Sequence, residues 1–462
     1  MKQVKIKNII LVVMVFVCIY LSSSVWLKLP SFLEYRSEHG NNNQNVVAAD
    51  IWNVVKPIKN VIKYKDNYTI SYSDEQNLWG MAVYIINDAF ERFNNSSINE
   101  SAAFPSQYLK FDFTVNIPVE IFTAHMKINN NEIKTRIKSI KNIIIDLDNT
   151  NAIYIYNGEN TIKIEDDLID AQEIVNIVKQ YDFNGKTQYA FNQKIGDKTI
   201  QVPIPQEKTA LNPVFVRSEL DVFDTETINK IAKNYFKNNY DYVRKSVEVS
   251  GNLVYMYRTE KILKINSEGL LDFYDTTEEM GSSSDVYESL VTAVNFTEEF
   301  LGFPEDGYLS NIESVEYDGN FGYRYTFSYK IKERPILFSR VRENSALQID
   351  VVDNNVISYK RFIRIIDESQ MNKMNDVQIL PAVDVIMRNL DSESDILGQD
   401  EISQLKPLKQ EMLEDISNIY LGYFDLSRIS REQLLRVVWV IETGEKSYIF
   451  NAISGALIEE WQ

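Results

Sequence analysis

Asp146-Leu147-Asp148-Asn149-Thr150 is the stretch whose residue types and spacing come nearest to covalent chemistry. Two carboxylates two positions apart, at the end of the apolar run Ile143 to Ile145, could divide a phosphoryl transfer between them. The first would attack phosphorus and the second would protonate the leaving group, with Mg2+ neutralising the charge. That chemistry also needs a lysine, a later acidic pair for the metal, and a parallel sheet built by crossover helices. Here another strand-like run, Ala152-Ile153-Tyr154-Ile155-Tyr156, follows at once. A hairpin would put both aspartates on its turn, where Asp and Asn side chains bond to nearby backbone.

The spacing of Asp146 and Asp148 resembles the nucleophile motif of haloacid-dehalogenase-type phosphatases, so an anchored Mg-dependent phosphatase is the catalytic alternative. Other chemistry is poorly provided for. His39 and His125 are the only histidines, and no glycine-framed serine accompanies either of them. His125, in Phe122-Thr123-Ala124-His125-Met126, reads as a half-buried structural residue. The chain offers no Cys and His set for zinc, no Walker loop and no Gly-X-Gly-X-X-Gly fingerprint. Glu165-Asp166-Asp167 lacks the spacing and glycine of a calcium loop and suits a solvated helix start. Tyr154, Tyr156, Tyr255, Tyr257, Tyr323, Tyr325 and Tyr329 could line a carbohydrate- or peptide-binding face. Tyrosine is also an ordinary strand former with an apolar body and a polar tip. No catalytic residue, cofactor or metal is therefore expected, and the chain reads as a non-enzyme.

The element that must hold everything in place is at the N-terminus. Lys2, Lys5 and Lys7 precede an apolar run, Ile9 to Leu21, that resumes in Val25-Trp26-Leu27. About 20 mostly apolar residues suffice to cross a bilayer as a helix. The lysines favour a cytoplasmic N-terminus, and Trp26 falls where an amphipathic ring suits the outer interface. The expected localisation is a single-pass cell-membrane protein with its bulk extracytoplasmic. Ile9, Val13, Cys18, Ser22 and Trp26 mark the faces of that helix open to membrane or partner. Cys18 and Ser22 lie one turn apart, and small residues allow close helix approach within a bilayer. A cleaved signal peptide is the rival reading, with Ser22-Ser23-Ser24 as the small residues before the cut.

Composition narrows the partners. Among 462 residues, 44% are hydrophobic and 12% aromatic, enough for sizeable cores. The net charge of -18 excludes nucleic acid as an expected partner, because phosphate binding needs clustered Lys and Arg. The single cysteine, Cys18, leaves the external part without an intramolecular disulfide.

The patterning predicts an α+β fold of antiparallel sheets with packed helices. Leu78 to Phe93, Ile169 to Tyr181, Thr225 to Asn238, Asp285 to Leu301 and Ile379 to Leu390 have helical period. Tyr108 to Val119, Ile133 to Ile145 and Ala152 to Ile155 read as strands, as do many later runs. Pro203, Pro205 and Pro213 suggest a boundary. The expected domains are 1–28, tail and anchor; 45–205, 214–370 and 371–462, three α+β domains. Tyr323 to Phe327 with Pro335 to Phe338 shares a pattern with Arg436 to Val440 and Ser447 to Phe450. On that basis the last two domains are expected to be similar to each other.

Several stretches together carry a family likeness. They are the anchor with Trp26 and Pro30, the strand Ile143-Ile144-Ile145-Asp146, the turn Ile265-Asn266-Ser267-Glu268-Gly269-Leu270-Leu271, and the ending Tyr448-Ile449-Phe450-Asn451-Ala452-Ile453-Ser454-Gly455. In this layout the chain resembles the YycH family, regulators of the YycFG (WalKR) two-component system of low-GC Gram-positive bacteria. The ending is also similar to YycI and to PepSY-type domains. The resemblance implies a regulator that associates with a membrane sensor histidine kinase, and with a YycI-like protein, in control of the cell wall. It also implies that the transmembrane helix is a contact element. A PepSY-like wall-binding or protease-inhibiting module is the further alternative.

Overall fold

The computed structural model describes residues 50–461, apart from 75, 96, 184–185, 196, 206–210, 277–284, 341–344, 372–376, 392–407, 427–429 and 445. The apolar run from Ile9 to Leu21, and with it Ile9, Val13, Cys18, Ser22 and Trp26, lies outside the described residues. Among the described residues no helix is long and apolar enough to cross a membrane.

Strict alternation in Tyr108–Pro118 sends Leu109, Phe111 and Phe113 to one side and Lys110 and Asp112 to the other. This strand lies third in a seven-stranded sheet. Its order is Asn67–Ser71, Lys59–Tyr64, Tyr108–Pro118, Ser139–Asp146, Ala152–Tyr156, Thr161–Glu165 and Ser97–Asn99, with every neighbouring pair antiparallel. Helices Leu78–Glu91, Val119–His125, Asn131–Arg136 and Gln172–Lys179 bury their apolar residues against one face of it. Asp74 starts the first of these by accepting from the N–H groups of Leu78 (2.8 Å) and Trp79 (3.1 Å).

One local expectation fails here. Ile133 to Ile145 is not a continuous strand, because Asn131–Arg136 is a helix and the strand begins at Ser139. Asn130 caps that helix, accepting from the N–H groups of Glu132 (3.0 Å) and Ile133 (3.4 Å). Arg136 then pairs with Glu132 one turn back at 2.7 Å. A cap and an i,i+4 pair outweigh the strand preference of two isoleucines.

The second sheet has eight antiparallel strands in the order Arg244–Val247, Leu253–Tyr257, Lys261–Ile265, Leu271–Asp275, Asn355–Arg361, Leu347–Val352, Asn320–Ser328 and Tyr308–Tyr317. Helices Thr225–Phe236 and Val286–Phe300 cover it. Asp285 caps the longer helix, and Gly302, at φ +73°, ends it as the Leu301-Gly302-Phe303-Pro304 signal predicts. The apolar residues of the first two sheets form one continuous core.

The last sheet crosses the sequence order. Its path runs Lys330–Ile331, Arg334–Phe338, Ile416–Asp425, Glu432–Thr443, Val214–Ser218 and Arg364–Ile366, and the hairpin Ser447–Asn451 with Leu457–Trp461 extends from Glu432–Thr443. Arg334–Phe338 runs parallel to Tyr423–Asp425. The pattern shared by the two late segments is therefore not shared in pairing. Tyr323 to Phe327 lies in the second sheet and Pro335 to Phe338 in the last, whereas Val438 to Glu442 and Ser447 to Asn451 are direct partners. The class is mixed α+β, dominated by antiparallel sheets with few helices, as the patterning predicts.

Arg364 and Asp425 lock the last sheet's edge to its centre. Both side chains are fully buried and meet at 2.8 Å. The remaining guanidinium donors reach the Ser218 hydroxyl (2.8 Å) and the carbonyls of Arg431 (2.9 Å) and Ser430 (3.0 Å). Removing one partner leaves an uncompensated buried charge. Arg364→Met or Asp425→Leu should each lower stability by about 3–5 kcal/mol, and the double variant by less than the sum. Urea unfolding of the four proteins measures this, and strictly additive losses would contradict the coupling.

Candidate functional site

Asp146 and Asp148 sit on the hairpin turn between Ser139–Asp146 and Ala152–Tyr156, which pair antiparallel. Asp146 is almost fully buried, at 5% exposure. Its Oδ1 accepts from the N–H groups of Asp148 (2.9 Å) and Asn149 (3.0 Å), and its Oδ2 from the Tyr154 hydroxyl (3.3 Å). Asp148 accepts from the Ser106 hydroxyl (2.7 Å) and the Gln107 amide (2.6 Å). Asp146 thus holds its own turn, and Asp148 ties that turn to Ser106 and Gln107. Among the described residues no group of His, Cys, Asp and Glu is arranged to hold a metal ion.

The other sequence candidates have local roles too. His125 is half-buried, with Nδ1 at 3.2 Å from the Tyr287 hydroxyl and Nε2 at 3.5 Å from Asp50. Burial, only partly opposed by Asp50, keeps its ring below the ordinary histidine range. It joins helix Val119–His125 to helix Val286–Phe300. In the acidic run, Glu165 bonds Lys163 (2.7 Å) and Asn149 (2.5 Å), which hold its carboxyl below the usual range. Asp166 caps the Leu168 N–H. Tyr154 and Tyr156 lie in the first sheet, Tyr255, Tyr257, Tyr323 and Tyr325 in the second, and Tyr329 between strands Asn320–Ser328 and Lys330–Ile331. Tyr325 donates to the Val286 carbonyl (2.6 Å), Tyr329 to that of Arg364 (3.2 Å), and Tyr255 to Asn229 (3.0 Å). Of that set only Tyr156 borders the cleft described next.

The face of the first sheet away from its helices lies opposite the strands Ile416–Asp425 and Glu432–Thr443, across a cavity of about 430 Å3. Strand pairing sets its floor: Lys59 lies beside Asp112, and Asp112 beside Asn142, so these three share one face. Lys59 donates to Asn418 across the cleft (3.0 Å) and pairs with Asp112 (3.5 Å). The Asn142 amide donates to Asp112 at 2.7 Å. Lys110 reaches Asp112 only at 4.0 Å, and Lys141 donates to the Thr114 carbonyl at 2.7 Å. On the opposite wall Asn418 donates to Glu442 (3.1 Å).

Burial lowers the ammonium of Lys110 against the pull of Asp112, and that of Lys141 against the pull of Asp112 and Glu442. Burial also opposes ionisation of Asp112. Lys59, Lys110, Lys141 and the Asn142 amide outweigh it and hold the carboxyl below its usual range. Burial first, and Glu442 second, push the Tyr420 hydroxyl well above its usual range. The sequence reading missed this cleft because its walls lie some 300 residues apart along the chain, as the Lys59–Asn418 bond spans 359 positions. The available signal was the alternation in Tyr108–Pro118, which places Lys110 and Asp112 on one side of a strand.

Residues 4–183 match the family described as YycH protein, N-terminal domain. The crystal structure of YycH from Bacillus subtilis resembles the chain with a TM-score of 0.54 at 16% identity, over 87% of this chain and 97% of that one. That likeness is one of fold. An uncharacterized protein from Eubacterium rectale gives 0.34 at 15% identity, covering 58% of this chain and 92% of its own. The Bacillus megaterium YpeB C-terminal domain gives 0.28 at 11%, covering 52% and 96%. These two are too distant to carry an argument. No curated protein matches the chain.

Two outcomes follow from the carboxylates. Asp146→Asn keeps the Oδ1 acceptor and should cost under about 1 kcal/mol, while Asp146→Ala orphans two N–H groups and should cost about 1–3 kcal/mol. Equal losses in urea unfolding would contradict the turn role. Asp112 has a depressed folded pKa, so its contribution is complete above about pH 4 and disappears as pH falls through its lower folded value. Asp112→Asn should therefore flatten the acid limb of the stability curve, and an unchanged limb would contradict the assignment.

Proposed function

We propose, from the match of residues 4–183 to the YycH N-terminal domain family, that the chain is a YycH-type membrane-anchored extracytoplasmic regulator. It modulates a sensor histidine kinase of a two-component system that controls cell-wall homeostasis. The observation that carries this reading is the family match over residues 4–183, a span that includes the apolar run Ile9 to Leu21. A second support is the use of the carboxylates most suited to catalysis. Asp146 is engaged within its turn and Asp148 with Ser106 and Gln107, which favours a non-enzymatic protein over a phosphatase.

The mechanism is a bias between two kinase states. A regulator shifts such an equilibrium only through contacts that differ between the states. The proposed contacts are the helix bearing Ile9, Val13, Cys18, Ser22 and Trp26, and surfaces of the external sheets. A YycI-like protein is a proposed second partner.

Exchanging residues 8–27 for an unrelated transmembrane helix tests the helix contact directly. Co-purification with the kinase should fall on the order of tenfold, equivalent to about 1.4 kcal/mol. Kinase output should move with it. Unchanged recovery together with unchanged output would remove the helix from the mechanism.

A further inference from the structure

The cleft between the first and last sheets has a composition that structural packing alone does not call for. Its lining carries three ammonium groups, Lys59, Lys110 and Lys141, against two carboxylates, Asp112 and Glu442. That is a local positive excess in a chain of net charge -18. The partners within the cleft do not use the cations equally. Lys59 is held by Asn418 and Asp112. Lys141 gives one of its three protons to the Thr114 carbonyl. Among the described residues Lys110 has only its 4.0 Å ion pair and no hydrogen bond.

An ammonium partly removed from water without compensating acceptors, as Lys110 is at 21% side-chain exposure, is unfavourable. Burial depresses the Lys110 and Lys141 ammonium groups, the electrostatic sign of that deficit. A second anion would relieve it. Apolar and aromatic surface lies beside these amines, from Val61, Ile70, Tyr68 and Tyr72. A cavity of about 430 Å3 falls within the size of small-molecule sites, which pair an apolar lining with a few placed polar groups.

We propose that this cleft binds a small organic anion, its carboxylate or phosphate between Lys110 and Lys141 and its apolar or aromatic body against Val61, Tyr68 and Tyr72. The ligand touches the first sheet through the amines and the last sheet through Ser417 and Tyr420, so it bridges the two. Glu442 accepts the Asn418 amide, and its charge reaches Lys141 from the opposite wall, so Lys110 is the cation that gains most from the anion.

The test uses the full chain in detergent and three water-soluble probes: 4-hydroxybenzoate, phenyl phosphate and the neutral 4-hydroxybenzamide. Binding is followed by saturation-transfer NMR titration. At least one anion should bind with a Kd of about 1 mM or tighter, and the amide at least about tenfold more weakly. Whichever anion binds identifies the headgroup. Lys110→Met with Lys141→Met should abolish the preference for the anion. Lys110→Gln alone should weaken binding severalfold, which keeps the test informative if the double variant does not fold. Equal binding of acid and amide, no binding of any probe, or anion affinity indifferent to Lys110→Gln would overturn the proposal.

Discussion

The buried contact between Arg364 and Asp425 is the constraint on which the last sheet depends. Two ions taken fully out of water persist only when hydrogen bonds satisfy what their mutual attraction leaves over. Here the Ser218 hydroxyl and the carbonyls of Ser430 and Arg431 complete the guanidinium, whose Cζ lies over the Phe362 ring at 4.6 Å from its centroid. These groups come from sequence positions 218, 362, 425 and 430–431, and only the crossed order of the last sheet brings them together. A neighbouring pair repeats the device. Arg361 meets Glu219 at 2.7 and 2.8 Å and donates to the Gly302 carbonyl at 2.6 Å. Two adjacent chain segments, 218–219 and 361–364, are thereby fixed on each other by charge as well as by strand pairing.

The cleft is a consequence of that arrangement. Once the last sheet is assembled, Ile416–Asp425 and Glu432–Thr443 stand opposite the helix-free face of the first sheet. Lys59 to Asn418 and Lys330 to the Tyr72 carbonyl tie the two sheets directly. The facing surfaces mix Lys, Asp, Asn and Tyr with Val61 and Ile70, where the first sheet's other side is apolar throughout its packed core. A sheet with one apolar and one polar face normally turns the polar one to water. This one turns it toward a second sheet, and that is why partly buried amines and a depressed carboxyl accumulate there.

Elements governed by local rules were legible in the sequence. The period of Leu78–Glu91 and Val286–Phe300, the Gly302 stop and the hairpin across Asp146 all follow from residues within a turn or two. The helix Asn131–Arg136 was missed although its signals are also local, because Ile133 and Ile137 imitate a strand and the Asn130 cap was not weighed. The order of the last sheet was not legible, since alternation shows that Val214–Ser218 is a strand but not which strands flank it. The likeness read between two late segments failed for the same reason. Pattern records which face is buried, and pairing depends on partners more than 60 positions away, as Ile336 with Tyr423 illustrates. The cleft residues combine both limits: their faces were readable, their juxtaposition was not.

Among the described residues that carry the family likeness, those of the two later turns fix packing. In the turn Ile265 to Leu271, Asn266 accepts from the N–H groups of Glu268 (3.1 Å) and Leu270 (2.7 Å). Gly269 takes φ +95°, and a Cβ there would meet the Leu220 carbonyl and Ser218 Cβ at 2.6 Å. Only glycine lets this turn press against the segment whose Ser218 completes the Arg364 network. The ending behaves alike. Asn451 accepts from the N–H groups of Ile453 (2.9 Å) and Ser454 (3.0 Å), and the Gly455 carbonyl receives the Asn389 amide at 2.7 Å, which seats helix Ala382–Asn389 on the sheet. Both turns thus fix the relative placement of chain segments that lie far apart in sequence: residues 266–270 against 218–220, and residues 451–455 against helix Ala382–Asn389.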